Sequence, residues 1–208
     1  MNTEYPQKYR VAAEYAVQLL ELHLPGRYLY HSILHTRDVL KYSDIFAEKS
    51  GLSAEERNLL HVAAAFHDTG YVYDPEHHES ESSSIAAAVM KDLDFSDGEI
   101  ARVSELILHT RMGESPASLS GMILRDADVE YLGRSEFYHL STLLRQELYL
   151  GGNAMSEPEW LRFEIKFLTG FAFASPIAHK LRAAGVAKHL RELEHCLNVI
   201  ENEEQKAR

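Results

Sequence analysis

A chain of 208 residues, 45% hydrophobic and 25% charged, holds enough material for one domain with a sizeable core and gives no reason to expect two. Its formal net charge of -11 disfavours duplex nucleic acid and anionic membrane surfaces as partners, because both are drawn by clustered Lys and Arg. A small anionic substrate stays open if its site supplies the positive charge, and nothing in the sequence opposes a homo-oligomer.

The lone Cys196 offers no intramolecular disulfide, and the start MNTEYPQKYR lacks an apolar core of signal-peptide length. No apolar stretch approaches the roughly 20 residues of a membrane span. The expected location is cytoplasmic. There is no repeat or low-complexity tract, and the tail ENEEQKAR reads as a frayed polar end.

Apolar residues recur at helical spacing almost throughout, and alternating strand-like runs are scarce, so the expected fold is all-α. A first helix covers about Gln7 to Leu22, with Val11, Tyr15, Leu19 and Leu22 on one face, and LPGR stops it. A second runs from about Ser32 to Lys49. A third starts at the cap Ser53, completes a capping box with Glu56 and ends at Gly70. After the polar loop YVYDPEHHES, a fourth helix carries Ile85, Val89 and Leu93. Ser96 caps a fifth that runs to about His109, and RMGESPAS is a loop by its Gly, Ser and Pro content. A sixth holds LSGMILRDADVEYLG and ends at Gly133. Beyond Glu136 come a helix through Leu150, another around Glu157 to Phe173, and a last from about Pro176 to Ile200 that Gly185 weakens or kinks.

Within this pattern the FHDTGY stretch places His67 and Asp68 on the last turn of an apolar helix, where unpartnered burial of either group costs several kcal/mol. A divalent cation offsets both, since imidazole and carboxylate are each accepted ligands. His35 in YHSILHTRDVL and Asp128 in ILRDADVEYLG sit in apolar helical patterns of their own. Each is a polar residue that needs a reason, and together with the pair they make a four-ligand set.

These motifs resemble the HD superfamily of metal-dependent phosphohydrolases: a helix with His then Thr and Val, a helix ending His-Asp-Thr-Gly-Tyr, and a later Asp-Ala-Asp. HHESESSSIAAAVMKDL, LILHT to LRDADVEYLG, LLRQE and EWLRFEIKFL resemble further segments of the family, so the likeness covers roughly positions 28 to 195. It implies a single HD-domain helical bundle over 1–208, with a motif core at about 28–133 and carboxy-terminal helices at about 136–200 packing on it. It also implies His35, His67, Asp68 and Asp128 as metal ligands; Asp128 is taken over Asp126 because the family's ligand follows an Ala, as Asp128 follows Ala127. The ion is manganese, magnesium, iron, cobalt, nickel or zinc, one or two in number.

If a second ion is present, His78 and His109 hold it with Asp68 as bridge; otherwise these histidines lie at the rim and meet substrate or solvent. Thr69, Gly70, Tyr71 and Val72 follow the His-Asp pair, so the HDxxED signature of the family's guanosine tetraphosphate hydrolases is not matched.

The implied activity is hydrolysis of a phosphoester or pyrophosphate bond of a small phosphorylated substrate, a nucleotide first among the choices, by metal-activated water with Asp68 at the centre. Glu79 is the candidate general acid or base, or the residue that holds a ligand histidine in place. Arg37, Arg111, Arg125 and Arg145 are the candidate phosphate donors, unranked among themselves. His31, four residues before His35, is a candidate pocket residue, and the loop Tyr71 to Ser80 is the expected seat of substrate selection. Two other functions stay open: a di-iron oxygenase built on a similar ligand set, and a non-catalytic nucleotide-binding sensor.

Overall fold

The computed structural model describes residues 5–206; the first four residues of MNTEYPQKYR and Ala207 and Arg208 of the tail lie outside the described residues. The described residues form nine α-helices and two 3-10 turns and contain no strand, so the fold is all-α. None of these helices is long and apolar enough to cross a membrane. The helices are α1 (Gln7–His23), α2 (Ile33–Lys49), α3 (Ala54–Phe66), α4 (His78–Asp92), α5 (Asp97–Leu108), α6 (Leu119–Asp128), α7 (Phe137–Leu150), α8 (Glu157–Gly170) and α9 (Pro176–Lys206), with 3-10 turns at Thr69–Val72 and Glu130–Gly133. Contacts divide the chain into two compact units, one reaching to Val129 and the other starting at Glu130.

In the first unit α3 is the hub, with α1, α2 and α5 packed on it. Leu59, Leu60 and every residue from Val62 to Phe66 are buried, so α3 is apolar nearly all round in its second half, as a central helix must be. The face that α1 buries is the expected one only at Leu19. Tyr15 and Leu22 are 46% and 75% exposed, and the packed face is Tyr9, Ala12, Ala13, Ala16, Leu19 and Leu20. Three alanines in that stripe keep it thin.

Capping boxes start α3 at Ser53 with Glu56 and α5 at Ser96 with Glu99, each satisfying helix-end N–H groups reciprocally. Glu99 does more, because its carboxylate also receives Lys8 Nζ at 2.8 Å and the Tyr9 hydroxyl at 2.6 Å, tying α1 to α5. Three expected boundaries move. The helix of the His-Asp pair stops at Phe66 and tightens into the 3-10 turn, the sixth helix stops at Asp128 and does the same, and α4 takes in the HHES residues from His78 onward.

The second unit is built on α9, which packs on α8 and on the turn Glu130–Gly133. Its interior holds paired polar groups: Glu130 receives Arg134 at 3.0 Å and Arg182 at 2.7 Å, and the His189 ring donates from Nδ1 to the Leu132 carbonyl at 2.9 Å while stacking on Phe137. Gly185 neither kinks nor interrupts α9, which runs on through the expected frayed tail to Lys206. A methyl group at Gly185 would collide with the Gly133 carbonyl, so this glycine serves the close approach of two backbones.

Gly185→Ala should therefore lower stability by about 2 kcal/mol through overpacking, against the roughly 1 kcal/mol gain that helix propensity alone assigns to Ala. A lower urea midpoint checks it, and a higher one refutes it. Glu99 gives a pH-dependent counterpart. Burial pushes its carboxyl up, but Lys8, Tyr9 and the Ser96 cap outweigh that and hold it down at about 2, from an ordinary 4.5. A depressed folded-state pKa contributes stability above the unfolded value and loses it as pH falls towards the folded one. Glu99→Gln should thus cost about 1–2 kcal/mol at pH 7, and the gap from wild type should close as pH drops from about 4.5 towards 2, read by denaturant unfolding at stepped pH.

Candidate metal centre

Four polar side chains of the first unit converge where three helices end or begin. His35 is the third residue of α2, His67 is the residue that closes α3, Asp68 follows it, and Asp128 is the last residue of α6. Helix ends suit the purpose because the chain leaves the helical path there, so neighbours such as His67 and Asp68 turn towards one point although they lie about 100° apart on a helix.

His35 Nε2 lies 3.0 Å from Asp128 Oδ1 and 3.3 Å from His67 Nε2. His67 Nε2 is 3.2 Å from Asp68 Oδ2 and 3.4 Å from Asp128 Oδ1, and His35 Nε2 is 3.4 Å from Asp68 Oδ2. His35, His67 and Asp128 each offer an atom within 4.8 Å of the other two, a grouping of His, Cys, Asp and Glu ligands found once among the described residues. Two ligand atoms about 2.1 Å from a shared ion are about 3.0 Å apart at a right angle and about 3.4 Å apart at the tetrahedral angle. The separations in this cluster fall in that interval.

The electrostatics ask for a cation as well. Burial pulls the His67 imidazolium down, yet the Asp68 and Asp128 carboxylates outweigh burial and hold its pKa well above the ordinary value. Burial likewise raises both carboxyls, and the two imidazoles overcome it, leaving Asp68 and Asp128 far below the usual carboxylate range. Asp68, only 4% exposed, keeps Oδ2 off the line of a hydrogen bond to His67, and that oxygen has no hydrogen-bond partner. A buried anionic oxygen in that condition fits a metal ligand. The His67 ring is held from behind, its Nδ1–H donating to the Ala64 carbonyl at 2.8 Å, which aims Nε2 into the cluster as ligand histidines require.

Around this centre the other candidates divide. His31 is not in the helix with His35 but in the bend before it, its ring 6.0 Å from that of His35 and 4.4 Å from that of Tyr71. His78 opens α4, donates from Nδ1 to the Pro75 carbonyl at 3.2 Å and turns Nε2 towards Glu79 Oε1 at 3.6 Å. Glu79 is buried, and its other oxygen faces Arg111 Nε at 3.9 Å. Arg111 is half-exposed and donates to the Ser80 hydroxyl at 2.8 Å.

His109 closes α5 with Nε2 4.0 Å from Glu105, while its Nδ1 is buried without a hydrogen-bond partner. His78 and His109 thus stand outside the ligand grouping, for His78 is held by Pro75 and Tyr71 and His109 is turned towards Gly121 and Glu105. Arg125 is half-buried on α6, three residues before Asp128, and Asp126 is fully buried. Arg37 is exposed and paired with Glu21 at 2.5 Å, and Arg145, in the second unit, donates to the Met155 carbonyl at 2.8 Å. Both arginines are committed to neighbours that the sequence pattern does not announce.

Sequence reasoning passed over Tyr30, whose ring lies 4.8 Å from that of His35, and Ser82, which is fully buried and accepts the Gly70 N–H at 2.8 Å. Tyr30 sits outside any helical pattern, and Ser82 is one of four serines in ESESSS, so neither stands out. Binding of a divalent ion should stabilise the folded chain by about 2.7 kcal/mol at a hundredfold excess over Kd. A thermal scan should show the midpoint rising with Mn²⁺ for the wild type and staying put for His67→Ala; equal shifts in both would remove the cluster as the binding site.

Residues 33–130 match the family model for the HD domain, a span that takes in all four clustered side chains. No curated protein matches this chain by sequence. A crystal structure of a Lactobacillus plantarum protein is similar in fold, with a TM-score of 0.67 at 15% identity over 99% of this chain and 100% of that one. The helical fold, the matched span and the His-Asp cluster agree: residues 33–130 form an HD domain, of a superfamily whose members are generally metal-dependent hydrolases.

Proposed function

We propose that this protein is a phosphohydrolase that cleaves a phosphoester or pyrophosphate bond of a small phosphorylated substrate, with nucleotides the first class to test. The observation that carries this reading is the convergence of His35, His67, Asp68 and Asp128 with an unpartnered, buried carboxylate oxygen on Asp68. When bound, a divalent cation activates water near neutral pH and offsets the charge that builds on phosphoryl oxygens. His35, His67 and Asp128 would hold it, and Asp68, whose Oδ2 has no hydrogen-bond partner, would add a fourth ligand.

The remaining work falls to side chains beside the cluster. Glu79 has both oxygens beyond hydrogen-bond distance of His78 and Arg111, so its carboxylate is open to take a proton from the attacking water or pass one to the leaving oxygen. Arg111 supplies the positive donor that a phosphoryl group needs, its guanidinium steadied by Ser80 and Glu79. His31 sets its ring between His35 of the cluster and His78, 6.0 Å from the first and 6.4 Å from the second. Arg37 and Arg145 are left out of the role because their guanidinium groups are engaged by Glu21 and Met155.

Phosphate release from a panel of nucleoside mono-, di- and triphosphates, cyclic nucleotides and simple phosphoesters, with Mn²⁺ and with chelator, tests the proposal. Turnover should require the ion and vanish in Asp68→Asn. Glu79→Gln should lower kcat by about 100-fold or more while leaving bound metal unchanged. Oxygen uptake by iron-loaded protein in place of phosphate release would overturn hydrolysis in favour of an oxygenase.

A further inference from the structure

The turn after the His-Asp pair holds a ring cluster of a kind that a helix end does not need. The Tyr71 ring lies 4.4 Å from that of His31 at 22° and 4.3 Å from that of His78 at 27°, with Tyr28 against it at 5.0 Å and 66°. The two imidazoles, on segments separated by the whole of α2 and α3, are brought within 6.4 Å of each other. Two features of the backbone make this meeting tight. Gly70 has no Cβ to strike the His78 carbonyl, and its N–H is received by the buried Ser82 hydroxyl at 2.8 Å, so α4 is pinned to the turn.

We infer that Tyr71 is a positioning residue: by packing on both imidazoles it holds His31 and His78 beside the metal cluster as a paired donor site for an oxyanion of the substrate. This rests on the hydrolase reading above. The Tyr71 ring is engaged by His31 and His78 in near-parallel packing and by Tyr28 in an edge contact, so its role is to hold its neighbours. The His31 and His78 rings are both half-buried, with Glu79 and Arg111 next to His78. Imidazole N–H groups and a guanidinium suit a phosphoryl group. His78 is oriented for this by its Nδ1–H bond to Pro75, which fixes which nitrogen faces the site.

The test is a double-mutant cycle read by calorimetric binding of inorganic phosphate to the Mn²⁺-loaded full chain. Tyr71→Leu should weaken phosphate binding about tenfold, as should the His31→Gln, His78→Gln pair, and the combined variant should be no weaker than the pair alone, since contacting residues couple. Tyr71→Phe should recover most of the loss, because it restores the ring. Mn²⁺ affinity should stay within about twofold throughout, which separates positioning from collapse of the site; Tyr71→Met serves as the second apolar replacement if the Leu variant does not fold. Additive losses, or an unaltered phosphate affinity in Tyr71→Leu, overturn the inference. A wild type that binds Mn²⁺ but no phosphate sinks the hydrolase reading itself, and the two failures are thereby distinct.

Discussion

Two carboxylates and two imidazoles within hydrogen-bonding range of one another, all buried but the half-buried Asp128, set the terms for the rest of the first unit. Isolated ionised groups in such a place would be expelled or neutralised. Here each sign supports the other: the imidazoles pull the Asp68 and Asp128 carboxyls below the usual range, and the carboxylates raise the His67 imidazolium above its ordinary value. The fold must keep these groups in place without their help. It does so through α3, whose buried run from Val62 to Phe66 ends directly at His67, and through the Ala64 carbonyl that turns the ring.

The all-helical character and the meeting of His35, His67, Asp68 and Asp128 were legible because each leaves a local trace. Ser53 with Glu56 and Ser96 with Glu99 announce helix starts, and both boxes form. A His-Asp dipeptide at the end of an apolar helix poses a burial problem that only a partner solves. What was not legible lies where two local rules give the same pattern. Helical spacing does not separate an α-helix from the 3-10 turn that continues it, so α3 and α6 were read through to Gly70 and Gly133, although the chain tightens at the ligands. The apolar face of α1 was read from its large residues, Tyr15 and Leu22, while the packing is done by alanines.

Charged residues were harder still. Four arginines stood level in the sequence, because a guanidinium's partner is set by distant segments. Glu21 takes Arg37 from sixteen positions away, and the Met155 carbonyl takes Arg145 from a separate loop. The same holds for glycine: Gly185 read as a weak point in a long helix and is a contact surface for the Gly133 backbone. In each instance the sequence names the residue and the tertiary neighbour decides its meaning.

Gly70 shows how this reaches the site. A glycine two residues after the His67-Asp68 pair is easily read as a helix stop, yet its phi is not in the left-handed region and no turn requires it. Its value is steric, since any side chain there would push the start of α4 away and carry His78, Glu79 and Ser80 with it. Those are the residues that meet Tyr71, Arg111 and His31. One absent methyl group thus couples the loop that carries His67 and Asp68 to the side chains that would receive a substrate. The His-Asp cluster and the start of α4 are in this sense one construction: α4 is set against the turn that directly follows His67 and Asp68, and displacement of that turn moves both.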